Sequence, residues 1–235
     1  MIIISIQLTR IQCMKTLFHY LKLILDQKSV DEIHIWDRLT HPEDMKWLRR
    51  NVIADKRVRI YEKGEPKYSP DDIIVHCADT IVFIDVRRFD QFVQKGLAAA
   101  HVINGDATCT LHQRLYGFVS SDLFTPETCD NIYQNSTTAT EMHSMFLDHF
   151  NDYLESAEKS PDAKTHFTNS PFWVEGPSGP TLDMSMVVAN LYTTAQLGDG
   201  FDDQRFATRY TMLKDRYAEF LRNGGSDCKT DRGRG

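Results

Sequence analysis

The first hundred residues alternate between two hydrophobic periods, and that alternation constrains the fold more than any other feature. Ile2-Ile3-Ile4-Ser5-Ile6 is a β-branched run of the kind that forms a strand buried on both faces. Met14, Leu17, Phe18, Leu21, Ile24 and Leu25 then recur at helical spacing. Glu32-Ile33-His34-Ile35-Trp36 returns to strand character and ends at Asp37. His41-Pro42-Glu43-Asp44 opens a second helix, with proline in the first turn and acids at the positive end of the dipole. Val58–Tyr61 and Ile73–Cys77 read as the third and fourth strands. A helix over 87–96 and a strand over 100–103 follow. The order β-α-β-α-β-β predicts an α/β fold: a mixed, mostly parallel sheet flanked by helices.

Sheets of this kind bind ligands beyond the carboxyl ends of their strands. The residues placed there are Thr9 and Arg10 after the first strand, Asp37 after the second, and Ala78-Asp79-Thr80 after the fourth. No G-x-G-x-x-G follows the first strand and no G-x-x-x-x-G-K-[ST] occurs, which removes the dinucleotide fingerprint and the common phosphate loop. Further on, 140–158 carries Met142, Met145, Phe146, Phe150, Tyr153 and Leu154 at helical spacing. Segment 164–181, rich in Pro, Gly and aromatics, reads as a long loop of the kind usually kept for function. Segment 206–221 reads as a closing helix, and 223–235 as a flexible tail or a linker to a further C-terminal domain.

Composition narrows the partners. The 235 residues carry 27 basic and 33 acidic side chains, net −6, which argues against a nucleic-acid polymer or a membrane surface as the main partner. Five scattered cysteines with no C-x-x-C define neither a disulfide framework nor a zinc finger, and they suit a reducing, cytoplasmic compartment. There the glycosylation pattern Asn135-Ser136-Thr137 would go unused. The apolar stretch 1–8 is too short for a signal or a membrane span.

Asp79 ends a buried strand, and Asp85 follows it after another apolar run. A carboxylate at a strand's C-terminal edge is well placed to hold a hard divalent cation against a diphosphate, or simply to cap the turn. The blocks Val30–Asp37, Pro42–Leu48 and Tyr68–Asp85 resemble nucleotide-sugar glycosyltransferases of the GT-A fold, as found in large algal viruses, some fungi and bacteria. Ala100–Gly105, Glu141–Leu147 and Gly200–Phe206 resemble the later blocks of that family more weakly. The likeness covers most of residues 1–222 and implies one GT-A-like domain with a nucleotide-sugar-binding half (1–105) and an acceptor half (106–222). One departure matters. Where the family usually shows three consecutive aspartates, this chain reads Ala78-Asp79-Thr80.

The resemblance implies transfer of a sugar from a nucleoside-diphosphate donor, a UDP-sugar above all, to a glycan or glycoprotein, with inversion and assistance from Mn²⁺ or Mg²⁺. In a viral setting the acceptor would be a capsid protein and the compartment the host cytoplasm. Charge grows on the departing diphosphate in such a reaction, and Asp79 with a cation, together with Arg10, would neutralise it. Thr9, Arg10, Asp37, Ala78 and Asp79 would then line the nucleotide, with His143 as a second metal ligand. Asp202, Asp203 and Asp183 are candidates for the base that deprotonates the acceptor hydroxyl, with Glu175 as a competitor. Plainer roles stand beside these: a helix cap for Thr9, a surface cation for Arg10, helix-starting acids for Asp202 and Asp203, a core histidine for His143. Phe172 and Trp173 would stack on a sugar or anchor the loop. A domain of the same fold that binds nucleotide or glycan without turnover is the competing reading, supported by the broken acidic triplet. A small-molecule nucleotidyltransferase shares the α/β pattern but lacks a glycine-rich, basic phosphate loop.

Overall fold

The computed structural model describes residues 1–9, 11–39, 42–52, 55–62, 64, 67–94, 98–103, 136–158, 172–176, 186–191 and 203–223. Its elements are β1 (Ile2–Leu8), α1 (Met14–Asp26), β2 (Glu32–Asp37), α2 (Pro42–Val52), β3 (Val58–Tyr61), β4 (Ile73–Ala78) and β5 (Ile81–Ile84). They are followed by α3 (Phe89–Gln94), β6 (Ala98–Ala99), β7 (His101–Ile103), α4 (Ser136–Asp148), α5 (Phe150–Glu158), β8 (Phe172–Glu175), β9 (Val187–Asn190) and α6 (Asp203–Arg222).

Six strands form one sheet in the order β3-β2-β1-β4-β8-β6. The first four run parallel, and β8 lies antiparallel between β4 and β6. The α/β expectation of a mixed, mostly parallel sheet flanked by helices therefore holds. β5, β9 and β7 form a second, three-stranded sheet. The chain moves leftward from β1 through β2 to β3, then returns to place β4 on the other side of β1. A right-handed return must cross the sheet face opposite α1 and α2. Tyr68, on this return, lies on that face, with its hydroxyl donating to Ser5 Oγ at 2.8 Å and its ring stacked on His34.

Alternation along the strands divides the sheet. Ile4, Ile6, Ile33, Ile35, Val75, Cys77, Phe172 and Val174 share the face that joins the apolar core with Leu17, Leu21 and Leu48 of the helices. The other face carries Ser5, His34, Trp36, Tyr61, His76 and Trp173, with Trp36 stacked on Tyr61 at 4.5 Å. Burial raises the Cys77 thiol pKa, so this cysteine packs as a small apolar residue. Phe83 on β5 joins the two halves of the chain. Its ring meets Tyr20 of α1 at 5.4 Å, Phe146 of α4 at 5.1 Å and Phe150 of α5 at 5.4 Å, all edge to face.

α1 ends in a Schellman turn. Ser29 N–H donates to Ile24 O at 3.1 Å and Lys28 N–H to Leu25 O at 3.0 Å. Lys28 holds the left-handed position at φ 61°, where glycine is the unstrained residue.

Several expected elements differ. The stretch 164–181 is not a loop throughout, because 172–175 pairs with β4 and β6. The helix expected over 140–158 is two helices parted at His149, and the one expected over 87–96 spans 89–94. The strand expected near 100–103 is β7, in the three-stranded sheet, and the two-residue β6 just before it joins the main sheet instead. β9 was not anticipated, since its VVAN run is too short to signal a strand by periodicity.

Candidate functional site

The direction of chain travel reverses between β1 and β4, so their carboxyl ends frame the crevice where open α/β sheets take ligands. Gln7 lies opposite Ala78 in the register, which brings the next residues of both strands, Leu8-Thr9 and Asp79, to the same edge. There Asp79 Oδ2 accepts the Thr9 backbone N–H at 2.7 Å and the Thr9 hydroxyl at 2.8 Å. Two donors from the end of β1 thus hold a carboxylate from the end of β4 across the switch point. Asp79 is buried while Thr9 is exposed, so the pair sits at the sheet's rim.

Thr9 is accordingly not a helix cap. The residue before α1 is Cys13, which makes no side-chain cap, and the Thr9 hydroxyl is committed to Asp79. Ala78, half-buried, ends β4 beside it. Asp37 ends β2 on the other side of β1, opposite Leu8. Its Oδ1 accepts the Leu39 N–H at 2.9 Å, an Asx turn. The Arg38 N–H donates to Leu8 O at 2.9 Å and closes the gap between the ends of β1 and β2. Arg10, Asp183 and Asp202 lie outside the described residues. Asp203 is the first residue of α6, and its side chain is likewise outside the description.

Three expectations are corrected. His143 is not open to a metal: it is fully buried, with Nδ1 2.7 Å from the Tyr217 hydroxyl and Nε2 3.2 Å from Asn190 O. The carbonyl can only accept, so Nε2 carries the proton and Nδ1 accepts from Tyr217. Burial pushes the His143 pKa down to about 3. Glu175 lies opposite Ile74, at the amino end of β4 and about 16 Å along the strand from Asp79, too far to share its chemistry. Phe172 is buried against Phe89 and Phe92 and presents no surface to a sugar. Trp173 lies on the other face, half-buried and stacked on His76 at 3.9 Å between centroids.

Asp85 lies at the end of β5, in the second sheet. It is buried, with Arg87 Nε 3.1 Å away and Arg88 Nε 3.6 Å away. Desolvation raises its pKa, and the two guanidinium groups oppose that shift. Sequence reading missed β9. Leu191 N–H donates to Thr80 O at 3.1 Å, which brings the end of β9 against the turn that carries Asp79.

On the protein side this edge offers a divalent cation one carboxylate, flanked by Ala78 and Thr80. Among the described residues no group of three His, Cys, Asp or Glu side chains converges. One carboxylate suits a cation of the Mg²⁺ type, which keeps several waters and takes its other ligands from phosphate. No helix among the described residues is long and apolar enough to cross a membrane. The chain is an α/β protein with a buried carboxylate clamped at the switch point of its main sheet. No protein-family model and no curated protein sequence matches it.

Proposed function

We propose that this chain is a GT-A-type glycosyltransferase that moves a sugar from a nucleoside-diphosphate donor, a UDP-sugar above all, to a glycan or glycoprotein acceptor. The observation that carries the reading is the Asp79 carboxylate, held by Thr9 across the β1/β4 switch point. The mixed sheet and the departure of the chain into a second small sheet directly after Asp79 also support it.

Asp79 would hold Mn²⁺ or Mg²⁺ through its carboxylate. That cation, when bound, supplies positive charge to the departing diphosphate. Thr9 orients the carboxylate, since both of its donors converge on Oδ2. Asp37, which ends β2 on the far side of β1, would accept hydrogen bonds from the ribose or base. Arg10, adjacent in sequence to Thr9, would add a fixed cation for the phosphates. Asp202, Asp203 and Asp183 remain the candidates for the base of an inverting transfer.

A thermal-shift screen of UDP-, GDP- and dTDP-sugars, with and without Mn²⁺, tests this reading. A metal-dependent rise in Tm with one donor, and slow donor hydrolysis by the wild type but not by Asp79→Ala, is the expected result. Absence of stabilisation by every donor would overturn it. A second reading, a domain of the same architecture that binds nucleotide or glycan without turnover, is favoured by the single acid in Ala78-Asp79-Thr80. Stabilisation by a donor without any hydrolysis or transfer would select it.

A further inference from the structure

Helices α1 and α2 run side by side over the core face of the main sheet, and an open groove lies between them. It consists of two cavities that share Asn51 as a lining residue, one of about 590 Å³ and one of about 510 Å³. Near the carboxyl edge of the strands, Lys15, Lys46 and Arg50 rim the first cavity over Ile11 and Trp47. Towards the opposite edge, Lys22 and Lys56 rim the second over Phe18, Leu25 and Val52. Lys15 and Lys22 are seven residues apart on α1, so the cavities repeat at about 10 Å along the helix.

The charge of this groove opposes that of the chain. Five bases and three acids line it (Glu43, Asp44 and Asp55), on a protein of net charge −6. Asp55 is already neutralised by Arg57, whose guanidinium reaches its Oδ2 at 2.6 Å, and Glu43 faces Lys46 at 3.8 Å. Among the described residues no carboxylate pairs with Lys22, Arg50 or Lys56. Lys15 sits over the Trp47 ring, 5.7 Å from its centroid. Two depressions two helical turns apart, each with one half-buried aromatic (Trp47 in the first, Phe18 in the second) and with Lys22, Arg50 and Lys56 on the rim, are complementary to one kind of ligand surface. That surface is an amphipathic helix with two apolar anchors seven residues apart and acids on its flanks.

We infer that the α1/α2 groove docks an acidic amphipathic helix of a partner protein, with its two apolar anchors in the two depressions and its carboxylates on Lys22, Arg50 and Lys56. A second copy of the chain matches poorly. α5 turns Tyr153 and Leu154 inward, and over 211–223 the one exposed large hydrophobic of α6 is Met212, beside Asp215 and Glu219. A bilayer matches poorly too, because the patch is a concave groove between two helices. The inference is independent of the nucleotide site.

The probe is a capped, fluorescein-labelled peptide of about four helical turns, with leucines seven residues apart and glutamates flanking them. Fluorescence anisotropy should show saturable binding to the full chain that weakens at least about tenfold between low and high salt. Binding should weaken at least about tenfold in Lys22→Glu/Arg50→Glu, while that variant keeps the wild-type melting temperature within a few degrees. It should also weaken when serines replace the two leucines. Should the double variant lose its fold, Lys22→Gln/Arg50→Gln serves in its place. Four results would overturn the inference: no binding, equal binding by the charge variant, equal binding by the serine peptide, or binding of phosphatidylserine vesicles without binding of the peptide. Self-association abolished by the charge variant would assign the groove to a second copy and overturn it as well.

Discussion

Acidification should destabilise this protein through His143 in a way that can be calculated. The imidazole is neutral in the fold, with Nε2–H donating to Asn190 O and Nδ1 accepting from Tyr217. Burial lowers its pKa to about 3, whereas an unfolded histidine titrates near 6.5. Between those values the unfolded chain binds a proton that the folded chain refuses. Stability is therefore full above the unfolded pKa and falls as the pH drops towards the folded one. The slope approaches about 1.4 kcal/mol per pH unit, so moving from pH 7 to pH 5 should cost roughly 2 kcal/mol from this residue. For a chain of this size that is roughly 4–8 °C in Tm. Other groups titrate in the same window, so the readout is a difference. Urea denaturation at pH 7, 6 and 5 should show the wild type losing roughly 2 kcal/mol more than His143→Gln, which cannot take up the proton. Parallel pH profiles for the two proteins, or an NMR titration of the native His143 ring with a midpoint near 6.5, would refute the reasoning.

The clamp at the switch point gives a second test. Thr9→Val removes the hydroxyl donor to Asp79 but keeps the backbone one, so Mn²⁺-dependent donor binding should weaken about tenfold with little change in the apo melting temperature. Asp79→Asn should abolish the metal-dependent part of the donor thermal shift while leaving the chain folded, as circular dichroism and urea melts would show. Phe83→Ala opens a cavity where β5, α1, α4 and α5 meet, and it should cost about 3–5 kcal/mol in chemical denaturation. Lys28→Gly relieves the left-handed backbone at the end of α1 and should raise stability by about 0.5–1 kcal/mol, read as a shift in urea midpoint at constant slope.

The parallel half of the fold was legible because its signals are local. Ile2–Ile6 could only be a buried strand, and the spacing of Met14, Leu17, Leu21 and Ile24 only a helix face. Asp79 stood out because an acid directly after a buried strand lies at an edge where ligands bind. The second half resisted for the opposite reason. β8 and β9 are four residues each, too short for a period to show, and they exist because β4 and β5 offer them edges. Glu175 and Phe172 looked like loop residues until that pairing placed one at the far end of the sheet and the other in the core.

What the sequence determined by itself was the class of fold, the sheet edge where folds of this kind take ligands, and the acid that stands there. The partners of that acid were decided by tertiary structure alone. The Thr9 hydroxyl has nothing local to cap and so turns to a carboxylate seventy residues away. His143 lies where Tyr217 and Asn190 O saturate both its nitrogens, which makes it a core residue instead of a ligand. Strand and helix periods are written in neighbouring residues. Hydrogen-bond partners across a sheet or a helix interface depend on register and packing, and no short window of sequence contains them.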